Sequence, residues 1–219
     1  MPVRAVIFDL DQTLLDRSAS LLEFLRWQSE GMLRSDLENP ADFVSRFLEL
    51  DDNGRVWKDE VYRRLIEEFD IGRWRMEELL AVYESCFCGF CVSRTGVEQA
   101  IQELAANYRL GLISNGKTPF QERNFRALGY AEVFDSILVS EAVGLRKPDA
   151  RIFRLGCSEL EVAPDEAVYV GDNPIADIKG AREAGLRTIF VPVDSDTVCE
   201  EADATCNEMG ALPDLISKL

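Results

Sequence analysis

Apolar runs that stop abruptly at polar clusters set the frame of this chain. Val6, Ile7 and Phe8 run into Asp9 and Asp11, and Leu110, Leu112 and Ile113 run into Ser114, Asn115 and Gly116. The SILVS run leads through a short loop to Lys147 and Pro148, and Val168, Tyr169 and Val170 stop at Gly171, Asp172 and Asn173, with Asp177 five residues beyond Asp172. Short apolar runs rich in β-branched and aromatic residues read as buried strands, and apolar residues at three- and four-residue spacing read as helices. On that basis Ser93 is a candidate N-cap for a helix reaching Ala106. After the strand ending at Ser114 come the helix PFQERNFRAL, the strand FDSILVS, the helix ARIFRLG, the strand AVYVGD, the helix AREAG and the strand RTIFVPV. Ala204 to Cys206 reads as a short edge strand and Pro213 to Leu219 as a closing helix. Such alternation predicts an α/β fold with a doubly wound parallel sheet.

The stretch from Asp16 to Val92 breaks the alternation. LLEFLRWQ, ADFVSRFLEL, VYRRLIEEF and MEELLAVYESCF all carry helical spacing, punctuated by Asn39-Pro40 and Asp52-Asn53-Gly54. The strands on either side belong to one sheet, so residues 16–92 read as a helical insertion into a core made of residues 1–15 and 93–219. Ligands of doubly wound sheets bind outside the carboxyl ends of the strands. Three of the four polar clusters sit at such ends, and the fourth a short loop further on.

Composition narrows the partners. The chain has 219 residues, 47% hydrophobic and 29% charged, enough for a full core plus a modest insertion. Its net charge of −16 argues against nucleic acid or an anionic membrane, both of which call for basic surface. No apolar run approaches the roughly 18 residues of a membrane span, and MPVRAVIFDLD has no signal-peptide pattern, so a cytoplasmic location is expected. Six cysteines are scattered; only Cys88 and Cys91 have the spacing of half a zinc or redox site, without a second pair, and reduced thiols are expected. Histidine is absent, which excludes Ser-His-Asp and Cys-His catalysis and any His-ligated metal.

Residues two apart on an extended strand point the same way, so Asp9 and Asp11 converge unless the chain bends between them. Close carboxylates repel unless a cation or a shared proton lies between them. An isolated Asp-x-Asp is also what a solvated turn presents, and only the later clusters weigh against that. The acidic clusters suit Mg²⁺, a hard ion that takes one or two carboxylates together with water and substrate phosphate.

In its Asp-x-Asp-x-Thr, Ser, Lys and terminal acidic pair, in that order, the chain resembles the haloacid dehalogenase-like hydrolase superfamily, specifically its phosphatase branch with a helical cap inserted after the first motif. The resemblance covers the whole chain. It implies a Rossmann-like core with an α-helical cap, and a Mg²⁺-dependent phosphatase acting on a small phosphorylated metabolite through an aspartyl phosphate. Asp9 would be nucleophile and metal ligand. Asp11 would bind the metal through its backbone carbonyl, protonate the leaving oxygen and later deprotonate water. Asp172 would be the second carboxylate ligand, with Asp177 outside the coordination sphere orienting metal-bound water. Ser114 and the backbone amides of Asn115 and Gly116 would hold the phosphoryl oxygens, Lys147 would neutralise Asp9 and phosphate, and Thr13 would support the loop. Gln12 departs from the glycine that many members have at that place.

Dehalogenases of the superfamily need neither a metal nor leaving-group protonation, so Asp11 and Asp172 together disfavour that chemistry. A phosphomutase would use the same residues. A receiver-like signalling module also combines acids, Ser/Thr and Lys, but phosphorylates a mid-chain Asp and has no helical insertion; a catalytically silent binding protein is the remaining alternative. For substrate choice the candidates are Arg55, Trp57 and Lys58 in the insertion, with Lys117 after the Ser114 cluster. Oligomeric state is not legible.

Overall fold

The computed structural model describes residues 2–194 and 197–219. The chain divides into two compact units, Met1–Asp16 with Val92–Leu219, and Arg17–Cys91.

The first unit is built on six parallel strands in the order β3-β2-β1-β4-β5-β6. They are β1 (Ala5–Phe8), β2 (Arg109–Ser114), β3 (Ser136–Val139), β4 (Ala167–Gly171), β5 (Arg187–Phe190) and β6 (Ala204–Thr205). This is the doubly wound α/β sheet that the alternation predicts. Every residue of β1 and β4 is buried, as expected of parallel strands covered on both faces. Ile7, Ile113, Leu138 and Tyr169, from four strands, pack on Ile152, Phe153, Cys157 and Leu160 and on Ala181 and Ala184. On aromatic contacts, Phe8 and Phe125 both meet Phe134, with centroids 6.0 and 4.8 Å apart. The register sets Phe8 opposite both Leu112 of β2 and Val170 of β4. The carboxyl ends of these three strands are therefore nearly level. Strand order reverses between β1 and β4, and the crevice at such a switch point is where ligands bind.

The helix after Ser93 starts later than expected, at Val97, and Gly96 rather than Ser93 precedes it, in the left-handed region at φ 83°. Ser93 is instead drawn into an antiparallel bridge with Leu15 and is hydroxyl-bonded to Tyr130. Two short linker stretches thus pair with each other where the sequence pattern suggests a helix start.

The second unit holds four helices, α1 (Arg17–Trp27), α2 (Pro40–Asp51), α3 (Lys58–Glu68) and α4 (Met76–Cys86). Asn39 caps α2 through the Ala41 N–H and Pro40 occupies its first turn. The core of this unit is aromatic: Phe24 meets Tyr83 edge-on at 5.4 Å and Phe47 meets Tyr62 at 5.4 Å. No helix among the described residues is long and apolar enough to cross a membrane.

Candidate active site

Asp9 follows β1 directly, and its N–H donates to the Val170 carbonyl of β4 at 2.9 Å. Its side chain is nearly buried. Lys147 Nζ lies 2.5 Å from Asp9 Oδ1, 2.8 Å from Asp177 Oδ1 and 2.9 Å from the Tyr169 hydroxyl, so all three ammonium hydrogens have acceptors. Tyr169 passes its own hydrogen to the Ile113 carbonyl at 3.1 Å. Asp177 Oδ2 accepts from the Asn173 N–H at 3.0 Å. Asp177 sits in a π-helical turn, Pro174–Lys179, which Asn173 caps through the Ile175 and Ala176 amides. The turn folds Asp177 back over Gly171, where a Cβ would stand 2.5 Å from Asp177 Oδ2. Glycine is the residue that lets the carboxylate approach the end of β4.

Asp9, Asp172 and Asp177 each offer a carboxylate oxygen within 4.8 Å of the others. Three carboxylates and one ammonium leave an excess of negative charge. Burial first, then the neighbouring acids, raise the Asp9 carboxyl to about 7 against the pull of Lys147, and raise Asp172 to about 9. Among the described residues no group donates a hydrogen bond to Asp172. A buried carboxylate cluster of all-oxygen donors, with one member left without a donor, fits a hard divalent cation.

Asp11 is placed elsewhere. The strand ends at Phe8, the chain turns through Gln12 at φ 61°, and the Asp11 carboxylate is not part of the acidic cluster. Its Oδ2 accepts from Gln121 Nε2 at 2.7 Å. Arg94 holds the same turn by donating to the Gln12 carbonyl and, at 3.1 Å, to Pro192. Thr13 is buried, and among the described residues its hydroxyl finds no hydrogen-bond partner, while Arg94 and the backbone hold the loop.

At the end of β2, Ser114 Oγ accepts from Gln121 Nε2 at 2.8 Å. Asn115 bonds the Lys147 backbone with both ends of its amide, at 2.9 and 3.0 Å. The Gly116 N–H is turned toward the adjacent strand. It donates to Ser140 Oγ at 3.0 Å and so is already committed within the fold. Lys117 contributes a carbonyl to the Gln121 N–H at 3.1 Å.

Gln121, Tyr169, Arg94 and the side chain of Asn115 were not singled out by sequence. In a chain read as PFQERNFRAL a buried glutamine looks like one more polar position on a helix.

Of the candidates in the helical unit, Lys58 is buried and paired with Asp51, which Arg17 also binds at 3.0 Å. That burial places the Lys58 ammonium inside the helical unit rather than on a solvated face. Arg55 is exposed and pairs with Asp52 at 3.3 Å.

The sequence pattern of the family described as haloacid dehalogenase-like hydrolase matches residues 6–191. A glyceraldehyde 3-phosphate phosphatase of Pyrococcus furiosus is 28% identical over 197 residues, covering 86% of this chain and 80% of the relative. A solved HAD phosphatase from Thermococcus onnurineus has a TM-score of 0.70 at 24% identity over 98% of both chains. A 2-haloacid dehalogenase from Pseudomonas syringae has a TM-score of 0.62 at 27% identity over 99% of both. With the family match running from β1 to the end of β5 and taking in every polar cluster at the sheet's edge, the chain belongs to the haloacid dehalogenase-like hydrolases.

Proposed function

We propose that this hydrolase is a Mg²⁺-dependent phosphatase of a small phosphorylated metabolite, working through a phosphorylated Asp9. The observation that carries the reading is Lys147, whose ammonium is shared by Asp9 and Asp177 beside Asp172. A phosphate monoester repels an anionic nucleophile, so a site must neutralise charge while keeping that nucleophile aligned. Lys147 does both. Asp9 and Asp172 would hold Mg²⁺ together with the Asp11 carbonyl, and Asp177 would orient its water. The ion would supply charge neutralisation for the phosphoryl oxygens.

The steps balance on the chain's own groups. An Asp9 oxygen attacks phosphorus, the bond to the leaving oxygen breaks, and the proton of Asp11 passes to that oxygen. Water then attacks the phosphorus, the bond to Asp9 breaks, and the water proton returns to Asp11. Such acid–base help is worth roughly 10²–10⁴ in rate. Ser114 donates to a phosphoryl oxygen. The likeness to a dehalogenase rests on the same sheet; Asp11 and Asp172 favour the phosphatase side.

Inorganic phosphate release from p-nitrophenyl phosphate and from a panel of sugar phosphates, nucleoside monophosphates and acylneuraminate phosphates tests the reading, with isomerised products scored separately. Activity in the wild type and its loss in Asp9→Asn are expected. Undiminished phosphate release by Asp9→Asn, or halide release from 2-haloacids in place of phosphate release, would overturn it.

A further inference from the structure

We propose that Gln121 is a positioning residue that couples the phosphoryl-holding hydroxyl of Ser114 to the acid–base carboxyl of Asp11. The inference rests on the phosphatase reading of the same site and adds a residue to it.

Gln121 lies in the first turn of the helix Phe120–Ala127 and is almost fully buried. Its Nε2 has two hydrogens and two close acceptors, Asp11 Oδ2 at 2.7 Å and Ser114 Oγ at 2.8 Å, while the third contact, to the Asn115 carbonyl, is long at 3.4 Å. The reverse amide orientation would set Oε1 against a carboxylate, and Asn124 Nδ2, 3.4 Å from Oε1, favours the one observed. The acceptors sit 110 and 7 positions away in sequence, one in the turn after β1 and the other at the end of β2. One planar amide therefore fixes the distance between them.

Two chemical consequences follow. Ser114 Oγ accepts from Gln121, so its own hydrogen is directed elsewhere and can be given to a phosphoryl oxygen. Asp11 Oδ2 is occupied by a donor that cannot release its hydrogen, so the proton Asp11 delivers to the leaving group is carried by Oδ1. Gln121 touches neither substrate nor metal in this scheme. It selects which oxygen of Asp11 works and which way the Ser114 hydroxyl points. Gly116 makes the arrangement possible, because a Cβ there would lie 2.7 Å from Gln121 Cγ and 3.1 Å from its Cδ.

The test uses the full-length protein with Mg²⁺, and Gln121→Met and Gln121→Glu, which keep the length of the side chain but not its two amide donors. Turnover is measured on aryl phosphates of graded leaving-group acidity and on a simple alkyl phosphate, with thermal unfolding of each variant alongside. The expected result is a drop in kcat at least tenfold larger for the alkyl phosphate than for p-nitrophenyl phosphate, giving a steeper dependence of rate on leaving-group pKa than in the wild type. A group that merely fills space would lower all substrates alike. Equal losses across the series, or no loss, would overturn the proposal. Should Gln121→Met fail to fold, the same slope is read from Gln121→Glu and from Gly116→Ala, whose methyl displaces the Gln121 side chain without removing it. Absence of phosphate release by the wild type would sink the phosphatase reading itself, whereas an active wild type, an inactive Asp9→Asn and an unaltered Gln121→Met would sink only the role of Gln121.

Discussion

Asn115 clasps Lys147 by the backbone rather than by the side chain: Oδ1 accepts the Lys147 N–H at 2.9 Å and Nδ2 donates to the Lys147 carbonyl at 3.0 Å. The clasp ties the loop after β3 to the end of β2 and leaves the ammonium free to reach Asp9 and Asp177. Replacing it should misplace the ammonium without removing it. Asn115→Leu is expected to lose about 10- to 100-fold in kcat, the range typical of residues that orient a functional group from outside. Steady-state kinetics checks this, and an unchanged kcat would count against the clasp.

Metal removal should be visible without any substrate. Protein treated with a chelator should be inactive, should regain activity with Mg²⁺, and should melt at a higher temperature when Mg²⁺ is added. A ligand at 100 times its dissociation constant stabilises by about 2.7 kcal/mol. Asp172→Asn should lose most of this thermal shift along with activity, and excess Ca²⁺, with its looser coordination, should inhibit. A melting temperature indifferent to Mg²⁺ in the wild type would refute a site at Asp9 and Asp172.

In the helical unit the buried pair of Lys58 and Asp51 is a structural commitment. Lys58→Met leaves Asp51 buried with Arg17 and the Gly54 N–H as its partners. Removing one partner of a buried pair costs about 3–5 kcal/mol, and the lower end is expected here because Arg17 remains. Arg55→Ala, at an exposed pair, should change stability by less than about 1 kcal/mol. Urea unfolding of the two variants distinguishes them.

The thiols provide a pH-dependent marker. Burial raises Cys157 and Cys206 to about 11, above the ordinary thiol range, whereas Cys86, Cys88 and Cys91 are partly exposed. At pH 8 iodoacetamide should modify the exposed group and spare Cys157 and Cys206 until the protein is unfolded. In the folded state these two thiols hold their protons where the unfolded chain has released them. Their contribution to stability is therefore flat below about pH 8 and is lost as pH rises from there toward 11. Peptide mapping after labelling reads the first statement, and thermal melts across pH the second.

What could be read from sequence was whatever sits at a strand end. Asp9, Ser114 and Asp172 each follow an apolar run, and a parallel sheet brings such ends to one edge regardless of loop detail. Gln121, Tyr169 and Arg94 escaped because their neighbours in space are remote in sequence: the polar tip of Tyr169 is hidden in an apolar strand and Gln121 in an amphipathic helix. The partner of the Gly116 amide is hidden from sequence for a related reason. That amide looked like a free donor at a strand end, but Ser140, at the end of the adjacent strand β3, takes it. Ser93 resembled a helix cap because nothing local reveals that Leu15 pairs with it.

The pairing of β1 with β2 on one side and β4 on the other has a further consequence, for the order in which the chain is made. Asp9 is synthesised well before the lysine that neutralises it, which follows 138 positions later. Before Arg109 is made β1 has no flanking strand of its own sheet, and its second flank, β4, begins only at Ala167. The helices of Arg17–Cys91 are contiguous and can complete their contacts first, whereas the sheet waits on long-range pairing, the slow class of folding event. The burial of Asp9 under β4 is therefore completed only after the strand that begins at Ala167 has been made. A chain cut short before Ala167 would keep Lys147 but lose one whole flank of its central strand, and with it Tyr169 and Asp177, which hold the Lys147 ammonium beside Asp9.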